Sequence, residues 1–138
     1  MNLNKSRFVS EIAIRPDDID LNQHVHSSRY MDFVLAARYD QMERCYKFSM
    51  EDFIKRGFGW VMTDSQMHFK RPMVLGDVAM VTTWVESFER SKVEVHFEIH
   101  RKGNPKVCCD GWFMYSMIDL NTGRAAHVPH EILEKYSI

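Results

Sequence analysis

Six side chains able to do acid–base or hydrogen-bond chemistry fall within ten residues: Asp17, Asp18, Asp20, Asn22, His24 and His26. They stand just ahead of Ser27 and Ser28, which open an apolar-periodic stretch to about Tyr46 and predict a capped helix. A helix start offers unpaired backbone N–H groups and a positive dipole end, which hold an anion or a polarised carbonyl oxygen. A carboxylate beside such donors is equipped for acyl transfer. The donors steady the developing oxyanion while the carboxylate attacks the carbonyl or activates water. On spacing alone, other roles stay open. Asp and Asn also serve simply as turn and capping residues, and His24 can be a structural histidine bonded to loop carbonyls. Asp20, His24 and His26 are potential metal ligands, but His at i and i+2 in a loop lacks the helical i, i+4 spacing of a zinc protease, so no metal is expected.

Such a loop needs elements to hold it. Residues 8–15 read as a strand, with Phe8, Ile12 and Ile14 on one side and Pro16 ending it. On a helical wheel, Tyr30, Met31, Phe33, Val34, Leu35, Ala37, Met42, Cys45 and Tyr46 cover most of the circumference. Arg29, Asp32, Asp40 and Glu43 share a narrow polar arc, with Arg38, Gln41 and Arg44 outside it. So wide an apolar face predicts a helix that is enclosed rather than laid on a surface. A short helix at 49–56 ends at Gly57, and strands follow at 60–71, 77–88, 92–101 and 107–118. The third alternates, with Val93, Val95, Phe97 and Ile99 facing one way and Lys92, Glu94, His96, Glu98 and His100 the other. A short helix at 129–136 closes the chain. One strand, a long helix and four antiparallel strands make an α+β domain spanning 1–138, its curved sheet wrapped around a central helix.

Composition narrows the function. A length of 138 residues suits one domain with a real core, and 45% hydrophobic residues fit an ordinary globular chain. Lys+Arg 18 against Asp+Glu 19 leaves a net charge of -1, so nucleic acid is not an expected partner. The start, residues 1–7, has no apolar core followed by a cleavage site, and no secretory signal is expected. The apolar run at 107–118 carries Asp110 and is too short to span a bilayer. Cys45, Cys108 and Cys109 have no metal-ligand spacing; the adjacent pair should point to opposite faces of a strand, as small hydrophobes in a reducing cytoplasm.

The run Asp18-Ile19-Asp20-Leu21-Asn22-Gln23-His24-Val25-His26-Ser27-Ser28-Arg29-Tyr30 resembles the signature of hotdog-fold thioesterases of the 4-hydroxybenzoyl-CoA type. It is also similar to the Asp-x-Asn-x-His-Val-Asn-Asn run of acyl-ACP thioesterases. The long helix, the Arg71-Pro72 strand exit and Gly76-Asp77 fall in the family's order, so the resemblance covers the whole chain. It implies a hotdog fold, subunits that pair sheets side by side as a homodimer or dimer of dimers, and an acyl channel at the interface. It implies hydrolysis of acyl-CoA without a cofactor, as part of fatty acid metabolism. The family's catalytic aspartate falls on Asp20, a substrate-positioning amide on Asn22, a catalytic imidazole on His24, and the oxyanion N–H near Ser27 at the helix start. Tyr30 closes the motif as a substrate contact. Two departures stand out: His26 and Ser27 replace the usual asparagines, and the Pro-Ala-Gly run of the hydroxybenzoyl branch is missing.

CoA phosphates call for cations at the channel mouth. Arg90 and Lys92 are the favoured pair, because the same turn binds nucleotide in similar hotdog enzymes; Lys70, Arg71, Arg101, Lys102 and Lys106 are further candidates. Asp64, with Gln66 and His68 on its face, is a second acid or a solvent-facing strand residue. Alternatives to the acyl-CoA thioesterase are an acyl-ACP thioesterase and a non-catalytic acyl-thioester-binding module. A hotdog dehydratase is disfavoured, since Asp32 and Asp40 fall on the polar arc of the helix.

Overall fold

The computed structural model describes residues 3–138. Met1 and Asn2, which begin the segment read as lacking a signal, lie outside the described residues. The elements are β1 (Phe8–Ala13), α1 (Arg29–Arg44), α2 (Met50–Lys55), β2 (Phe58–Phe69), β3 (Val78–Glu89), β4 (Lys92–Arg101), β5 (Val107–Asp119) and α3 (His130–Tyr136). All five strands join one antiparallel, curved sheet in the order β1-β3-β4-β5-β2. β2 is therefore an edge strand, paired with the last strand of the chain rather than with the next one. Among the described residues, no helix is long and apolar enough to cross a membrane.

The β4 alternation sets the inner face. Val95 lies opposite Val85 and Phe113, and Ile99 opposite Val81 and Cys109, so all of these side chains point the same way. Onto them α1 lays Tyr30, Phe33, Val34 and Ala37, the i, i+3, i+4, i+7 stripe of an amphipathic helix. Phe97 and Phe113 are almost fully buried there, each contributing about 2–3 kcal/mol. A second cluster closes the other end, where Met42 and Tyr46 meet Phe53 of α2 and Ile132 and Tyr136 of α3. The Tyr136 hydroxyl donates to the Phe48 carbonyl at 2.6 Å and ties α3 down.

Three details differ from the sequence expectations. The apolar belt of α1 is not fully enclosed by this chain: Leu35 and Tyr39 are 41% and 44% exposed, while Gln41 and Arg38 are buried. Gln41 tolerates burial because its amide donates to Ser10 Oγ and accepts from the Thr83 hydroxyl. Cys108 and Cys109 are both buried rather than split between faces. The register slips between Ile99 and His100, leaving Cys108 as an extra residue in a bulge. Finally, β1 ends at Ala13 rather than at residue 15, because Pro16–Asp18 forms a 3-10 turn.

Candidate active site

Backbone bonds shape the loop before any side chain acts. Ile19 bridges Val25, the Asp20 N–H donates to the His24 carbonyl at 2.8 Å, and Val25 N–H donates to Met73 at 2.8 Å. Gln23 takes a positive φ of 63° to make the turn, donating to the Asp20 carbonyl. His26 N–H reaches the Asp18 carbonyl at 2.7 Å.

The three loop aspartates then separate by environment. Asp18 is buried, accepts the Arg15 N–H at 2.7 Å and lies 3.7 Å from Arg29, so it pins the turn to the helix. Asp17 pairs with Arg15 at 3.1 Å on the surface. Asp20 is different. Its Oδ1 accepts from the N–H groups of Asn22, at 2.8 Å, and His24, at 3.2 Å. This Asx turn fixes the carboxylate, while Oδ2 has no partner among the described residues.

Oδ1 and Oδ2 belong to a residue lining an open cavity of about 290 Å³, together with His24, Ser27, Tyr30 and the β2 exit Phe69–Pro72. The Ser27 N–H, at its rim, has no acceptor among the described residues. Ser28 was expected to cap α1, yet it has helical φ and ψ and makes no capping bond. Its hydroxyl instead lies 2.9 Å from His26 Nδ1, and His26 takes the next two amides, its Nδ1 accepting the Ser28 N–H at 3.4 Å and its carbonyl the Arg29 N–H at 2.9 Å. Tyr30 is buried in the wall, its ring 5.6 Å from that of Phe69, and burial pushes its phenol up to about 12.

The structure thus brings Asp20, His24, Ser27 and Tyr30 around one cavity. Asn22 stands exposed beside it, holding Asp20 through its backbone rather than its amide. The His24 ring is exposed and makes no hydrogen bond among the described residues; the structural work falls to its backbone. Arg90 and Lys92 are not brought here. They sit at the Ser116 end of the β4–β5 ladder, about 25 Å along the strands from the Cys108 end, whose carbonyl accepts from Lys70 and Arg71 at the cavity. The cations at the cavity are Lys70, held by Asp110 at 2.7 Å, and Arg71, which donates to the Val107 carbonyl at 2.8 Å. Asp64, Gln66 and His68 lie opposite Met114, Trp112 and Asp110 on the outer face of the sheet, exposed and away from the cavity. Sequence reasoning missed Phe69 as a cavity wall, although its place in the same strand exit as Arg71-Pro72 was available.

Residues 14–136 match the family model described as the thioesterase-like superfamily. The long-chain acyl-CoA thioesterase FadM of Escherichia coli (strain K12) is 25% identical over 126 residues, 91% of this chain and 94% of that protein. Among solved structures, the DHNA-CoA thioesterase from Staphylococcus aureus superposes with a TM-score of 0.85 at 24% identity, covering 94% of this chain and 89% of that one. A further Staphylococcus aureus protein, solved in complex with CoA, gives a TM-score of 0.81 at 15% identity, over 95% and 82% of the two chains.

Proposed function

The chain belongs to the thioesterase-like superfamily, and we propose that it hydrolyses acyl-CoA thioesters to the free acid and CoA, with Asp20 as the base. The observation that carries this is one carboxylate oxygen left free beside an unclaimed helix-start N–H, both at one cavity. The thioester carbonyl sits against Ser27 N–H, which holds the oxyanion as water attacks. Asp20 Oδ2 takes the proton of that water, and the tetrahedral intermediate collapses with loss of the CoA thiolate. His24, whose ring has no other task, supplies the proton to the sulfur. Removing one oxyanion donor typically costs about 2.7–4 kcal/mol of transition-state stabilisation. Lys70 and Arg71 meet the carrier at the cavity mouth; Arg90 and Lys92 serve the carrier only at the cavity of a second copy. The CoA-bound neighbour and the acyl-CoA substrate of the Escherichia coli relative support this choice of carrier.

We infer a homodimer. β2 is a 12-residue edge strand with Val61 and Phe69 exposed, and the exposed Leu35–Tyr39 flank of α1 adds apolar surface. Pairing two β2 edges satisfies their backbone groups. Three unpaired cysteines fit a reducing compartment, and we place the protein in the cytoplasm. A thiol-release assay over acyl-CoA chain lengths, with wild type and Asp20→Asn, tests the activity. Turnover by wild type and its loss in the variant are expected; a protein that binds acyl-CoA without releasing thiol is a binding module instead.

A further inference from the structure

A second cavity, of about 260 Å³, lies between α1, α2 and the sheet. Leu35, Met42, Phe53, Trp60 and Val95 make its walls apolar, yet Arg38 is among the residues lining it. Arg38 is only 9% exposed, and among the described residues no carboxylate lies within ion-pair distance of it. Its neighbours include the Thr83 hydroxyl at 3.4 Å and Tyr46, whose ring centre lies 5.4 Å away and whose hydroxyl also takes a hydrogen bond from it. A buried cation without a counter-ion is costly and calls for an explanation.

The polar groups around it hold it in place without neutralising it. Arg38 donates to Thr83, Thr83 donates to Gln41 Oε1, Gln41 donates to Ser10 at 3.0 Å, and Ser10 donates to Asp40 at 2.6 Å. Every proton in this chain runs away from the cavity, and the carboxylate at its far end is already held by Arg44 at 2.9 Å. The guanidinium is oriented by Thr83 and Tyr46, neither of which neutralises it. One other donor in the same wall lacks a partner among the described residues, the buried Trp60 Nε1–H. A cation with no carboxylate of the described residues beside it, in a wall that also holds the unpartnered Trp60 Nε1–H, matches a carboxylate.

The cavity is also in line with the proposed reaction site. Met31, Leu35, Arg38 and Met42 follow i, i+4, i+7, i+11 spacing and share one face of α1. Arg38 lies nine residues past the first residue of α1, about 14 Å along the axis from the Asp20–Ser27 end. We propose that this cavity takes the far end of an acyl chain that itself ends in a carboxylate, so that ω-carboxyacyl thioesters are the preferred substrates and Arg38 binds the distal carboxylate. The inference rests on the thioesterase reading above. A plain alkyl tail gives the guanidinium no partner, and sites built for a polar group discriminate strongly against analogues that lack it.

The test compares kcat/KM for dodecanedioyl-CoA and dodecanoyl-CoA, with calorimetric titration of dodecanedioic acid and dodecanediol alongside. Wild type is expected to favour dodecanedioyl-CoA by about tenfold or more. Arg38→Met should abolish that preference, so that the two thioesters are turned over with the same kcat/KM, and should remove the binding advantage of the diacid over the diol. Equal turnover of the two thioesters by wild type, or a preference for dodecanoyl-CoA, overturns the proposal and leaves the thioesterase reading standing. If neither thioester is hydrolysed, the thioesterase reading fails by itself. The titration then decides the cavity: diacid binding that does not depend on Arg38 overturns its assignment. Should Arg38→Met not fold, the wild-type preference and the milder Thr83→Val, expected to weaken it, remain decisive.

Discussion

Replacing Asp20 by Asn separates chemistry from structure, because the Asx turn uses Oδ1 alone. An asparagine carbonyl can still accept from the Asn22 and His24 N–H groups that Asp20 Oδ1 now holds at 2.8 and 3.2 Å. The two bonds weaken from charge-assisted to neutral, and the loss of stability should stay near 1 kcal/mol or below. Asp20→Ala removes the acceptor altogether and should cost about 1–3 kcal/mol. The base, by contrast, is lost equally in both variants. General-base catalysis contributes about 10²–10⁴ in rate, equivalent to roughly 3–5 kcal/mol in the barrier.

The two variants should therefore fall together in kcat/KM, by about two to four orders of magnitude. In thermal denaturation they should part, with Asp20→Asn close to wild type and Asp20→Ala below it. Thiol release from an acyl-CoA, at concentrations spanning KM, reads the first quantity. His24→Gln tests the proposed proton donor on the same substrate, and should slow turnover without moving Tm, since among the described residues His24 is bonded through its backbone alone. Asp20→Asn within a few fold of wild type would refute the assignment of Asp20. An Asp20→Asn protein that lost activity and folding together would refute the division of labour between Oδ1 and Oδ2.

Further predictions concern the rest of the molecule. Val61→Lys combined with Phe69→Lys puts charge on the β2 edge and should shift the protein from dimer towards monomer in analytical ultracentrifugation; a monomeric wild type refutes the β2 pairing. Asp40 is held below the usual carboxylate range by the Arg44 guanidinium and the Ser10 hydroxyl, despite some opposing burial. Its contribution to stability is thus present above the unfolded-state value near 4 and is lost as pH falls through the lower folded value. The Tm gap between wild type and Asp40→Asn should narrow on going from neutral pH to about pH 3, and a gap that stays constant contradicts it. Burial pushes the Cys109 thiol up to about 12 and raises Cys108 as well, whereas Cys45 is partly exposed. A thiol reagent at mildly alkaline pH should label Cys45 in the native protein and all three cysteines only after unfolding.

Much of the scaffold was legible because period and punctuation agree. The alternation in β4 named its buried face residue by residue, and Gly57 and Pro129 marked the boundaries of the two short helices. The membership of Asp20, His24, Ser27 and Tyr30 in one cavity was legible too, since ten residues before a helix cannot travel far. What was not legible depends on which element lies beside which. The partition of the loop aspartates is decided by Arg15 and Arg29, whose positions relative to Asp17 and Asp18 come from the 3-10 turn. The choice between Arg90–Lys92 and Lys70–Arg71 turns on which end of the sheet meets the helix start. Local pattern does not report that; the pairing of β2 with β5 does.

Arg38 shows how the two kinds of information combine. The wheel put it outside the polar arc, which by itself suggests only a long side chain snorkelling to the surface. The fold removes that route, because Thr83, Tyr46 and the cavity wall surround its head. A helix wrapped by one sheet has few places to hide a cation, and this one sits with hydroxyl partners but no carboxylate beside it. A charged side chain that breaks the apolar pattern and is then neither exposed nor matched by a counter-ion marks a place where the interior is built for something it does not itself contain.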